Sequence, residues 1–224
     1  MRRLIMWNMV TLDGYFDGER SWQINWHKNV WGEDLERFAL ESQSAETLLL
    51  ERPTYERMTA YWSAATGEIA DRINAIPKVV FSRSLKKADW NNSRLVSTDP
   101  AREVASLKRK PGNDLVIFGG AALPATLAQR GLIDEYRLGV HPVVLGDGGP
   151  LSGAASQRSR MNLLEATTSQ SGRTVLCYQA NGASPTHAAH ERLRPGRGSA
   201  RVALSRRRSV VDGPFVETKE WALG

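Results

Sequence analysis

The 224-residue chain contains a single cysteine, Cys177, so it can form no internal disulfide and no multi-cysteine metal site. It also lacks a long apolar run. The stretch over residues 76–81 is interrupted by Lys78, and nothing approaches the roughly 18 residues of a membrane-spanning helix. The opening residues, Met1-Arg2-Arg3-Leu4-Ile5-Met6-Trp7-Asn8, have two basic side chains but too short an apolar stretch for a secretory signal. The four histidines, His27, His141, His187 and His190, show no metal-ligand spacing beyond a chance pair near the end. There is no GxSxG nucleophile elbow, no P-loop and no full GxGxxG fingerprint. These absences argue against a disulfide scaffold, a membrane protein and a zinc module, and leave a reducing cytoplasm as the expected address.

What is present is an uneven charge. Thirty Lys and Arg against 24 Asp and Glu give a net charge of +6. Residues 181–224 hold eight basic side chains, among them Arg206-Arg207-Arg208, against four acidic ones, so most of the excess lies in a fifth of the chain. That stretch is rich in Arg, Ser, Pro and Gly and reads as a solvated tail of low order. Residues 1–180 are nearly balanced, and the 41% hydrophobic content supports a core there. The expected division is a folded domain over 1–180 and a basic tail over 181–224. An anionic polymer bound by the tail is the competing reading, but the tail lacks aromatic interleaving, so a nucleic-acid partner is not expected.

Along the body, strand and helix patterns alternate. Residues 3–10 read as a buried strand, 11–18 as an Asp-Gly loop, 33–46 as an amphipathic helix and 47–50 as a short strand. Helices are expected from Pro53 and over 68–75, then strands over 78–81 and 93–97. Thr98 or Asp99 caps a helix that runs to about Arg109, and a β-branched strand over 114–118 leads into Gly119-Gly120 and a helix over 121–129. A strand over 135–141, a glycine loop over 143–151 and a hairpin of 163–168 with 173–179 complete the pattern. The expected class is α/β, with a largely parallel sheet and an antiparallel hairpin at its end.

Three strand-to-helix junctions have residues suited to phosphate. Gly119-Gly120 lets backbone approach a ligand and leaves free N–H groups at a helix start, although a tight turn alone explains it equally. Ser82-Arg83-Ser84 offers a guanidinium flanked by hydroxyls, fit for a phosphate monoester; taken alone it is also an ordinary solvated turn. Arg52 and Thr54 stand at a third helix start. Three such junctions at strand ends fit an open-sheet nucleotide site better than any one does. Asp13 can bind a polar substrate or relay a proton, or simply make its Asp-Gly turn. Trp22, Trp26, His27 and Trp62 can wall a pocket for a flat ring or belong to the core.

Residues 3–18, 48–55 with Tyr61-Trp62, 77–85 and 114–151 together resemble the dihydrofolate-reductase-like family, in the branch related to the C-terminal reductase domain of the bifunctional riboflavin deaminase-reductase. The resemblance implies a three-layer α/β sandwich around a central mixed, largely parallel sheet, NADPH as cofactor, a small-molecule substrate and a homodimer. It implies hydride transfer to a C=N or C=O group of a pteridine- or pyrimidine-like molecule. Gly119, Gly120, Ala121 and Leu123 would hold the nicotinamide and pyrophosphate. Ser82, Arg83 and Ser84 would face the adenosine 2′-phosphate, and Arg52 and Thr54 would touch phosphates. Asp13 matches the Leu-Asp-Gly segment that borders the substrate, with Trp26 and Trp62 as further substrate contacts. Two departures stand out. Glu51-Arg52-Pro53-Thr54 replaces a Gly-Arg-Lys-Thr-like stretch and sets a carboxylate where it would repel phosphate, and Ser152 replaces the aromatic residue of a Pro-Leu-Phe ending; the alternative these departures imply is a catalytically silent nucleotide-binding protein of the same fold.

In the tail, Asp212-Gly213-Pro214-Phe215 looks like a segment of the small YCII-related domains, which implies a truncated fragment of such a domain.

Overall fold

Strand β1 (Leu4–Thr11) is apolar at nearly every position because both of its faces are covered. Ile5 and Trp7 point into one core, and Leu4 and Met6 into another on the opposite side of the sheet. β1 pairs in parallel with β6 (Asp114–Phe118) on one side and β7 (Glu135–His141) on the other. The computed structural model describes residues 1–17, 45–151, 160–169 and 172–180. All fall within the first of two units, Met1–Thr186; the second, His187–Gly224, lies outside the described residues. Trp22, Trp26, His27, Ser152 and the Asp-Gly-Pro-Phe segment are likewise outside them.

The remaining strands are β2 (Tyr15–Asp17), β3 (Ala45–Glu51), β4 (Lys78–Phe81), β5 (Ser93–Val96), β8 (Gly149–Pro150), β9 (Met161–Thr168) and β10 (Thr174–Ala180). The main sheet has eight strands in the order β5-β4-β3-β6-β1-β7-β10-β9. The first six in that order run parallel, and β10 and β9 are antiparallel. Helices α1 (Arg52–Trp62) and α2 (Glu68–Ala75) cover one face, where Tyr55, Met58 and Ile73 meet Ile5, Leu48 and Leu50. Helices α3 (Pro100–Arg109) and α4 (Ala122–Gln129) cover the other, where Val104, Leu107 and Leu127 meet Leu4, Met6 and Leu49. This is the expected three-layer sandwich. Each fully buried leucine of the Leu48-Leu49-Leu50 run contributes about 1.5–3 kcal/mol.

Local signals were followed closely in several places. Asp99, not Thr98, caps α3: its Oδ1 accepts from the Ala101 N–H at 2.9 Å, worth about 1 kcal/mol. Lys78 interrupts an apolar run yet is only 1% exposed. Its amine donates to the carbonyls of Asn74, Ile76 and Asn91 at 2.9, 2.7 and 3.3 Å and lies 4.2 Å from the Trp90 ring centre. Burial pushes its pKa down to about 8.

Three expectations need correction. The helix expected over 33–46 does not extend to its last residues, because Ala45 already pairs with Asp114 as part of β3. The two glycine-bearing loops are not simple loops: Tyr15 pairs with Pro150 and Asp17 with Gly149, forming a two-stranded ribbon. The hairpin's first strand begins earlier, at Met161, and lies at the sheet edge with Leu163 and Leu164 exposed.

The amino ends of the parallel strands carry a charge network. Arg3 pairs with Asp114 at 2.5 Å and Glu135 at 3.0 Å, Arg137 pairs with Glu135 at 2.6 Å, and Lys108 pairs with Asp134. The carboxyl ends form the opposite edge, and there the phosphate-suited junctions meet.

Candidate active site

β3 and β6 are neighbours, but β3 leads into α1 on one face and β6 into α4 on the other. At such a reversal the two helices diverge and leave a crevice beyond the strands' carboxyl ends, the usual ligand position in an open α/β sheet. The residues at this crevice are Glu51 and Arg52 from β3 and α1, and Gly119, Gly120 and Ala121 between β6 and α4.

Gly119 and Gly120 have φ of 66° and 76°, in the left-handed region that glycine tolerates. The junction is held from the sheet: the Gly119 N–H donates to the Trp7 carbonyl at 3.2 Å, and the buried Asn8 amide donates to the Gly120 carbonyl at 3.2 Å. α4 has no acidic residue in its first turn, and its N-cap, Ala121, has no side chain to cap with. The cap comes from another element. Glu51 Oε1 accepts from the Ala121 N–H at 3.3 Å and Oε2 from the Leu123 N–H at 2.9 Å. A carboxylate therefore takes up the N–H groups and positive helix end that would serve a phosphate. It lies so close that a Cβ on Gly120 would fall 2.4 Å from Glu51 Oε1. The glycine and the glutamate are a matched pair.

At the next junction, two of the expected phosphate residues come together. Arg52 Nη1 donates to Ser84 Oγ at 2.8 Å, while its Nε pairs with Glu56 at 2.7 Å. Ser82 Oγ accepts from the N–H groups of Ser84 and Leu85 at 3.3 and 3.0 Å, turning the chain sharply after β4. Arg83 at the tip of that turn is exposed and makes no ion pair or hydrogen bond among the described residues. Arg52, Arg83 and Ser84 thus form an exposed cationic, hydroxyl-bearing rim.

Thr54 does not join them. It is 0% exposed, and its hydroxyl has no partner among the described residues. Thr54, Met58 and Trp62 recur every four residues along α1 and so share the face turned to the core. For the same reason Trp62 is no pocket wall. It is 5% exposed and packs in the core that also holds Tyr55, Met58 and Trp90. That spacing was the signal for both positions. Trp26 lies outside the described residues.

Asp13 stands on the far side of β1 from this rim. Its carboxylate accepts from Thr11 Oγ1 at 2.6 Å and from the N–H groups of Leu145 and Gly146 at 3.0 and 2.8 Å. The Leu12 N–H donates to the Val143 carbonyl at 2.8 Å. The Thr11 hydroxyl foremost, then the Gly146 amide, hold the Asp13 pKa below the ordinary carboxylate value. A group that stays ionised is a poor proton donor; Asp13 braces the loop after β1 against the loop after β7. His141, which ends β7, is 1% exposed, and burial pushes its pKa down to about 4, so it is neutral at physiological pH.

Comparisons with known proteins agree on the fold. The uncharacterized protein YyaP of Bacillus subtilis (strain 168) is 32% identical over 186 residues, covering 81% of this chain and 96% of its own length. The crystal structure of a candidate riboflavin biosynthesis protein from Shewanella sp. PV-4 superposes with a TM-score of 0.62 at 19% identity, covering 80% of this chain and 98% of that one. Dihydrofolate reductase from Enterococcus faecalis, complexed with NADP(H) and RAB-propyl, superposes with a TM-score of 0.53 at 14% identity, covering 80% of this chain and 96% of that one. The family model described as the RibD C-terminal domain matches residues 2–176, from before β1 to within β10, and the chain accordingly belongs to that family.

Proposed function

We propose that the chain is an NADPH-dependent reductase that transfers a hydride to a C=N or C=O group of a pteridine- or pyrimidine-like small molecule. The observation that carries this reading is the exposed cationic rim at the carboxyl ends of the strands, Arg52 bonded to Ser84 with Arg83 at the tip of the same turn. Membership of the RibD C-terminal domain family and likeness to a dihydrofolate reductase fold support an oxidoreductase role.

The residues suit the cofactor in kind. The N–H groups at the head of α4 are of the kind that holds an anion, and they now hold the Glu51 carboxylate, which lies over Gly120. Ser82, Arg83, Ser84 and Arg52 would take the 2′-phosphate. When bound, NADPH supplies the hydride from its nicotinamide ring. The chain's own contribution is positioning: β1, β3 and β6 fix the crevice floor, and Asp13 locks the two loops beside it.

Titration of nicotinamide fluorescence tests the reading. Saturable NADPH binding, weaker for NADH, is expected, with NADPH consumption when dihydrofolate or a ribosylaminopyrimidine is supplied. Absence of any NADPH binding overturns it.

A further inference from the structure

Glu51 raises a question that the reductase reading leaves open. The crevice is built for an anion, yet the molecule fills that place from its own chain. The last residue of β3 reaches across the diverging helices, and its two carboxylate oxygens accept from Ala121 and Leu123, at 3.3 and 2.9 Å. The contact is specific in shape as well as charge. The carboxylate lies over the Gly120 α-carbon, so closely that its Cδ would stand 2.6 Å from an added Cβ. The backbone surface that Gly120 would open to a ligand is covered by this side chain.

We propose that Glu51 is a specificity-determining residue which excludes the diphosphate of a dinucleotide from the head of α4, leaving the phosphate monoester end, at Arg52, Arg83 and Ser84, as the principal anchor. This rests on the reading above that the crevice takes NADPH. A diphosphate seeking the Ala121 and Leu123 N–H groups must displace the carboxylate and then lie beside it, and two like charges a few ångström apart repel. The Arg52–Ser84 rim is untouched by this contest, because its groups neither bond to Glu51 nor depend on α4. The chain should therefore bind the part of the cofactor that carries the 2′-phosphate about as well as the whole.

Equilibrium titration of the full chain with NADPH and with adenosine 2′-monophosphate tests this, in the wild type and in Glu51→Gln and Glu51→Gly. In the wild type the two dissociation constants are expected to agree within about threefold. Glu51→Gln keeps an acceptor for α4 but removes the charge, and should tighten NADPH on the order of tenfold while leaving adenosine 2′-monophosphate within twofold. Glu51→Gly, which also clears the cradle, should tighten NADPH further. Ligand-free melting curves check that the variants fold, and the wild-type comparison stands without them. Wild-type NADPH binding far tighter than that of the monophosphate, or variants that tighten both ligands equally, neither, or weaken NADPH, overturn the proposal while leaving the reductase reading in place. If no form of the protein binds either ligand, the reductase reading falls with it.

Discussion

Arg52 Nη1 donates to Ser84 Oγ at 2.8 Å, tying the start of α1 to the turn after β4. Two residues 32 positions apart thereby share one surface, and Arg83 lies at the tip of the same turn. Because Arg83 is exposed and without partners among the described residues, its removal should not disturb the fold. Arg83→Ala is expected to weaken NADPH binding about tenfold, to leave NADH binding unchanged and to keep the melting temperature of the wild type. Parallel fluorescence titrations with the two dinucleotides check this.

Gly120 and Glu51 should be energetically coupled. Gly120→Ala places a Cβ 2.4 Å from the carboxylate oxygen at a φ of 76°. The clash and the backbone strain together should cost at least about 2 kcal/mol. In a Glu51→Gly background only the strain remains, and the cost should fall to about 1 kcal/mol. A double-mutant cycle from urea unfolding measures the difference.

Asp13 is expected to act as a brace rather than an acid. Its folded pKa is depressed, so the brace is complete above the ordinary carboxylate range and fails only as the pH falls through that lowered value. Asp13→Ala should speed hydrogen exchange at the Leu145 and Gly146 amides about tenfold or more. Turnover of the variant should fall while its pH profile keeps the wild-type shape between pH 5 and 8. A variant that loses the wild type's fall in turnover on the alkaline side of the profile would identify Asp13 as a proton donor instead.

His141 should make stability depend on pH. Its folded pKa, about 4, lies below the ordinary value of 6.5. Between those values the unfolded chain binds a proton that the native state does not. This contribution is full above pH 6.5 and is lost as the pH falls toward 4. It should amount to about 2 kcal/mol between pH 7.5 and 5. Urea unfolding at the two pH values should show a drop smaller by that amount in His141→Gln.

Much of the architecture was legible because its signals are local. The β-branched run of β6, the proline and aspartate at the head of α3, and the glycine pair after Phe118 each dictate structure within a few residues. The ribbon of Tyr15 with Pro150 was not legible, because its partners are far apart in the chain and too short to form a pattern alone. Glu51 shows the limit most clearly. The sequence marks it as a charge out of place beside a phosphate. Only the adjacency of β3 and β6 reveals it as the cap of a helix that begins some 70 residues later. Thr54 shows the opposite case, a local signal that misleads. Its local neighbours suggested a phosphate turn, whereas its four-residue spacing to Met58 and Trp62 already turned it inward.

The position of β1 also bears on how the protein is made. This strand is synthesised well before its sheet partners, residues 114–118 and 135–141, so Leu4 waits for Leu115 and Ile5 for Glu135. On the ribosome, this apolar strand has neither neighbour until residues 114–118 and then 135–141 have emerged. The nascent domain must keep an unpaired hydrophobic strand from aggregating throughout that interval, and its assembly is completed late and nearly all at once.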